Sequence, residues 1–123
     1  MNNNQSYKGS CHCGNVQFEV FKKPDWLISC NCSLCTRLGN LWAHADSTEV
    51  KFDCTPESTN AYIWGNKSIA IHTCKKCGCT THWTSLTNDI TNVGLNFRMC
   101  TEHDISVFTV RNLDGADTWE FID

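Results

Sequence analysis

No apolar run in this chain of 123 residues approaches the roughly 20 residues that a membrane-crossing helix needs. The start, Met1-Asn2-Asn3-Asn4-Gln5-Ser6, is polar and has no apolar core of a secretory signal. The expectation is therefore a cytosolic protein with no membrane partner, in a compartment where disulfides are rare. Positive charge is scarce as well: 10 Lys and Arg stand against 13 Asp and Glu, for a net charge of −3. That argues against a basic surface and so against nucleic acid as a partner. No window carries the i, i+3, i+4, i+7 apolar spacing of a long amphipathic helix. No linker, repeat or low-complexity tract divides the chain. Its length suits one domain with a modest core, expected to span 1–123 with the packed part at about 7–110.

What is present in place of helices is a series of short β patterns. Tyr7 to Ser10 reads as a strand, and Val16, Phe18 and Val20 alternate with Gln17 and Glu19 at the period of a half-buried one. Gly14-Asn15 is the turn between them. Lys22 to Asp25 is a turn, and Trp26-Leu27-Ile28 is a buried run. Leu41 to Asp46 and Val50 to Phe52 look like the next strands, followed by a polar loop over Thr55 to Asn60. Tyr62-Ile63-Trp64 has β composition, Gly65-Asn66 is a turn, and Ile69 to Thr73 and Thr80 to Thr84 are strands. Val93 to Phe97 and Ile105 to Val110 complete the set. Strands at short intervals with Gly or Asn turns indicate a mainly β domain.

Cysteine is the one residue in excess. Ten of 123 residues lies near the density of a disulfide scaffold, but eight of them fall in three tight groups, and clustered cysteine in a cytosolic chain points to metal. Cys30, Cys32 and Cys35 lie within six positions, so one turn could aim three sulfurs at a single point. Thiolates that close need a cation between them, and zinc suits the donor type. Cys74-x-x-Cys77 supplies two ligands, and Cys11-x-Cys13 supplies two more, together a closed tetrahedral set of the structural kind. Three sulfurs would then remain for a second zinc with an open position, as in catalytic sites. An alternative gives Cys79 or Cys54 to the trio as a fourth ligand and makes both sites structural.

The motifs Gly9-Ser10-Cys11-His12-Cys13-Gly14, Cys30-x-Cys32-Ser33-x-Cys35-x-x-x-Gly39 and Cys74-x-x-Cys77-Gly78, in this order and separation, resemble the glutathione-dependent formaldehyde-activating (GFA) family, which includes centromere protein V. The resemblance covers about Tyr7 to Met99. It implies a mainly β fold of several small coiled antiparallel sheets stapled by zinc, shared with methionine-R-sulfoxide reductases. It also implies a structural zinc at Cys11, Cys13, Cys74 and Cys77, and a second, catalytic zinc at Cys30, Cys32 and Cys35. The implied activity is that of a carbon–sulfur lyase making S-hydroxymethylglutathione, with glutathione as co-substrate and a small thiol or carbonyl compound as partner. Asn31 stands where many members have His, and Cys79 where a small or hydroxylic residue is usual.

A zinc ion on three thiolates favours carrying a thiol as thiolate over activating water. His44, His72, His82 and His103 are candidate acid/base groups or fourth ligands, weighed against ordinary hydrogen-bonded histidines; His12 is expected to point away from the metal. Trp42, Trp64 and Trp83 are candidate pocket walls or, more commonly in a small β domain, core. Arg98 could hold a glutathione carboxylate or form a surface salt bridge. Lys75 and Lys76 are expected only to orient or solvate the knuckle. Two further readings are a zinc-stapled interaction module, which predicts two closed shells, and a methionine-sulfoxide-reductase-like enzyme using Cys100 with Cys54 as resolving thiol.

Overall fold

The computed structural model describes residues 6–65, 67–87 and 91–123; the expected turn at Gly65-Asn66 lies partly outside them. The alternation at the start of the chain produces a small antiparallel sheet of β1 (Tyr7–Ser10), β2 (Gln17–Val20) and β5 (Val50–Asp53), in the order β1-β2-β5. Phe18 and Val20 are buried while Gln17 is exposed. A seven-stranded sheet holds β3 (Leu27–Cys30), β4 (Trp42–Asp46), β6 (Thr59–Tyr62), β7 (Ile69–Cys74), β8 (Thr80–Ser85), β9 (Asn92–Asn96) and β10 (Val110–Leu113). Its order is β10-β3-β4-β9-β8-β7-β6. All pairings are antiparallel except that of β10 with β3, which is parallel and sets Leu113 opposite Cys30. One short helix, α1 (Ser33–Leu38), follows β3. The mainly β expectation holds.

Because successive strand residues point to opposite faces, the large sheet is apolar on both. Leu27, Ala43, Val93 and Leu95 join Tyr7, Phe18 and Val20 of the small sheet in the main core, with Phe97 and Phe108. Tyr7, Phe97 and Phe108 meet with ring centroids 5.6–5.8 Å apart. Their neighbours Ile28 and Trp42 turn to the other face and cluster with Ile71, Trp83, Leu34 and Leu113. This second apolar face carries the site described below.

Three segments depart from the sequence reading. Trp26 is half exposed rather than buried, lying under the Arg111 guanidinium at 4.8 Å. The strand expected at Tyr62 to Trp64 starts earlier: Pro56 opens a 3₁₀ turn over Pro56–Ser58, and pairing runs from Thr59 to Tyr62, leaving Ile63 and Trp64 exposed. Ile105 to Val107 is a 3₁₀ turn, because the Asp104 carboxylate accepts hydrogen bonds from the Ser106 N–H and hydroxyl. The strand thus begins at Val110, and the packed chain continues through Phe121, which bridges to Leu113, beyond the limit of about 110 read from sequence.

Gly94 of β9 lies directly beneath the Trp83 indole, and a Cβ there would overlap Nε1 and Cε2 of that ring. Replacing Gly94 by Ala is expected to cost roughly 1–3 kcal/mol through overpacking, read as a lowered denaturation midpoint of the metal-loaded protein. An unchanged midpoint would show that Trp83 has room to move.

Candidate metal centre and adjoining pocket

The Cys11 to Gly14 turn after β1 and the Cys74 to Gly78 knuckle after β7 bring four sulfurs together. The Sγ atoms of Cys11, Cys13, Cys74 and Cys77 all lie within 4.8 Å of one another, with Cys11 to Cys13 at 3.8 Å and Cys13 to Cys74 at 3.6 Å. A tetrahedron with metal–sulfur bonds of about 2.3 Å has sulfur–sulfur edges of about 3.8 Å, so the spacing fits zinc. Gly78, at φ +81°, turns the knuckle and donates its N–H to the Cys74 carbonyl. The Val16 N–H points at Cys11 Sγ, and the Lys76 and Cys77 N–H groups point at Cys74 Sγ, at 3.3–3.5 Å. Donors of this kind orient and stabilise thiolate ligands. Cys13 is pushed up to about 11: the Asn15 N–H lowers it, but desolvation and competition with the Cys74, Cys11 and Cys77 thiols prevail. Cys77 is opposed by desolvation yet falls to about 5, drawn down by the Cys79 and Cys13 N–H groups and by neighbouring thiols. Four thiols that must share protons in this way are relieved by a dication.

Cys54 and Cys79 pack against this four-sulfur group, and the Cys79 thiol lies beside Cys77. Neither completes the trio, which corrects the alternative that lent one of them to it. The His12 side chain is exposed.

The trio is built by β3 and α1. Cys30 ends the strand; Cys32 caps the helix N-terminus, its sulfur accepting the Cys35 N–H at 3.3 Å; and Gly39, at φ +70°, closes the helix by donating to the Cys35 carbonyl. The three sulfurs lie within 4.8 Å of one another, and among the described residues no fourth His, Cys, Asp or Glu ligand atom joins them. The Cys32 N–H points at Cys30 Sγ at 3.4 Å, and Trp42 Nε1 donates to Cys35 Sγ at 3.4 Å. The Cys35 thiol, with help from the Cys32 and Gly115 N–H groups, draws Cys30 down to about 6 against desolvation, and Cys35 is correspondingly pushed up. These donors again suit a soft cation.

The loop after β10 roofs the trio. A Cβ on Gly115 would overlap Cys30 Sγ, so only glycine fits. Asn31, from inside the motif, ties the loop down: Nδ2 donates to Asp114 Oδ1 at 3.0 Å and Oδ1 accepts the Ala116 N–H at 2.9 Å. The loop carries Trp119, at φ +61°. Neither Gly115 nor Trp119 was singled out from sequence; the Asp114-Gly115 turn dipeptide was the available signal.

Above the trio is a cavity of about 690 Å³ that reaches Trp42, His44, Trp64, Trp83 and Trp119. The three tryptophans weighed as core are thus pocket walls. His44 opens to this space, its ring edge-on to Trp83 at 5.4 Å, and burial pushes its pKa down. The other candidates are elsewhere. His72 bridges the Thr59 and Thr84 hydroxyls and stacks on His82 at 4.5 Å. Burial, with the nearby His72, drives His82 down to about 3. His103 accepts the Lys8 N–H through Nε2. Arg98 donates through Nε to the Gly39 carbonyl at 2.6 Å and forms no salt bridge among the described residues. Cys100 is 1 % exposed in the main core and burial pushes it up to about 12. It has the surroundings of a small hydrophobe and not of a nucleophile.

Metal analysis of single variants separates the two clusters. Cys74→Ser is expected to abolish the near-ultraviolet circular dichroism of the folded chain together with zinc binding, because folding and the four-sulfur site are linked. Cys32→Ser is expected to keep the spectrum and lose one zinc equivalent. A folded Cys74→Ser protein with full zinc would refute this division.

All ten cysteines are free of disulfides, and no helix among the described residues is long and apolar enough to cross a membrane. A crystal structure of a Rhodobacter sphaeroides protein superimposes with a TM-score of 0.69 at 25 % identity, over 84 % of this chain and 97 % of that one. The family described as glutathione-dependent formaldehyde-activating enzyme matches residues 6–104. With its cysteine motifs folded into these two clusters, the chain belongs to the GFA family.

Proposed function

We propose that this protein is a carbon–sulfur lyase-type enzyme that makes and breaks the bond between a thiol sulfur and the carbon of formaldehyde or a related small carbonyl compound. The observation that carries this reading is the trio Cys30, Cys32 and Cys35, short of a fourth protein ligand among the described residues and facing a cavity of about 690 Å³. A zinc-stapled interaction module would close both shells. A zinc ion held by the trio would favour the thiolate form of an incoming thiol and, with three anionic donors, would activate water only weakly.

The chain's own residues supply the rest. In the addition, the sulfur lone pair forms the C–S bond, the carbonyl π pair becomes an alkoxide that takes a proton, and nothing is oxidised. His44 is the titratable side chain other than cysteine on the described cavity wall, and desolvation pushes its pKa down, so the neutral ring can take the thiol proton and return it to the alkoxide. Trp42 fixes Cys35 through its indole N–H, tying the donor set to the wall. The indoles of Trp42 and Trp83 give the reacting carbon an apolar wall. The family's description names glutathione as the thiol, and ten unpaired cysteines suit a reducing, cytosolic setting.

Adduct formation from ¹³C-formaldehyde and a thiol, followed by NMR, tests the assignment. Cys32→Ser is expected to lose one zinc and reduce the rate to background; an undiminished rate with one zinc fewer would remove the trio from the reaction. His44→Gln is expected to lower kcat about 100-fold with zinc content unchanged.

A further inference from the structure

We infer that the thiol taken by this pocket is a small uncharged one with an aromatic or comparably flat apolar group, rather than a zwitterionic peptide thiol such as glutathione. The inference rests on the proposed reading of the pocket as the substrate site.

Four of the chain's five tryptophans, Trp42, Trp64, Trp83 and Trp119, line the one cavity that ends on the cysteine trio, and no Lys, Arg, Asp or Glu is among its described lining residues. Glutathione brings two carboxylates and an ammonium group, and charges taken from water without partners are strongly disfavoured. Two cations on the neighbouring segments have partners within the chain: Arg37 donates to the Ser33 carbonyl at 2.7 Å and Arg111 pairs with Asp123 at 2.9 Å. Lys67 sits in the turn between lining residues Gly65 and Ser68 but is not itself in the wall. Three thiolates with a dication carry net negative charge, and Asp114 adds a carboxylate to the roofing loop, so an anionic ligand meets repulsion as well. Lack of charge is not general to the surface: a second cavity of about 360 Å³ is walled by Lys8, Glu19, Lys51, Asp53 and Glu102.

The indoles are also held in place. Trp42 is fixed by Cys35, and Trp83 by the close approach of Gly94 and by the His44 ring. Trp119 occupies a left-handed backbone conformation, with its N–H bonded to the Asp114 carbonyl at 2.7 Å and its ring beside Gly115. A non-glycine residue is retained there only where the surroundings determine it, and such positions concentrate at ligand clamps. Trp119 is nevertheless 67 % exposed, a large apolar face at the rim that the described residues leave open. Offset or edge-on contact with a flat apolar group satisfies such faces.

Calorimetric titration of the zinc-loaded protein with phenylmethanethiol and with glutathione tests the inference apart from turnover. Phenylmethanethiol is expected to bind at least tenfold more tightly, and Trp64→Ala, at a rim position 38 % exposed, is expected to weaken it about tenfold. Equal or tighter binding of glutathione, or glutathione binding lost in Lys67→Ala, would overturn the inference, as would no heat from phenylmethanethiol at millimolar concentration. Tight phenylmethanethiol binding with no adduct on adding formaldehyde would leave the inferred occupant standing and refute the proposed reaction. Efficient turnover of glutathione with weak phenylmethanethiol binding would do the reverse.

Discussion

Sulfur atoms spaced a few ångströms apart cannot all be anionic without a cation among them, and the rest of the structure depends on how this constraint is met at the Cys11, Cys13, Cys74 and Cys77 group. Two ligands come from the small sheet's first turn and two from the knuckle after β7, so one ion would join segments that are 61 positions apart in the chain. The local backbone is arranged for it, with N–H groups of Val16, Lys76 and Cys77 directed at the sulfurs. A domain of this size has a limited apolar core, and a metal that binds only the folded chain adds its binding free energy to folding.

With the first cluster holding the sheets together, the strand alternation of β3 and β4 assigns the rest. Leu27 and Ala43 serve the core, whereas Ile28 and Trp42 serve the pocket. The same two-residue period therefore builds stability on one face of the large sheet and a binding cavity on the other. The trio lies where β3 leaves the sheet, with one sulfur on the strand and two at the start of α1, so its geometry derives from rigid elements. This is the arrangement that holds reactive groups most reproducibly.

Much of this was legible in the sequence because cysteine spacing is a local code. Cys-x-Cys, Cys-x-x-Cys and the trio each fix their sulfurs through one turn, and counting ligands favoured a partition into four and three while leaving Cys79 or Cys54 open as a fourth ligand of the trio. The strands with clear alternation, such as Tyr7–Ser10 and Gln17–Val20, were equally plain. What sequence could not show are contacts made across distance. The roles of Trp42 and Trp83 depend on which sheet face each occupies and that of Trp64 on the path of the chain after β6, while local composition favours core for all three. Arg98 reaches a carbonyl 59 positions away, which no spacing rule encodes. The strand boundary at Val110 was hidden because the Asp104 cap makes a turn of residues with strong β composition. The polar-looking Val110–Leu113 then becomes the last strand of the sheet, paired with β3 and, on its outer side, bridged at Leu113 to Phe121.

That edge position has a kinetic side. β10 carries the Asp114 to Trp119 roof; its one flank pairs with β3 and the other is held only by the short 120–123 segment, through the Leu113 to Phe121 bridge and the Ile122 N–H on the Asn112 carbonyl, and marginal strands detach at lower free-energy cost than central ones. Peeling of β10 would widen the chamber over Cys30 while leaving the four-sulfur knot, which draws on β1 and β7, undisturbed. Exchange of a guest by that route would then proceed without global unfolding.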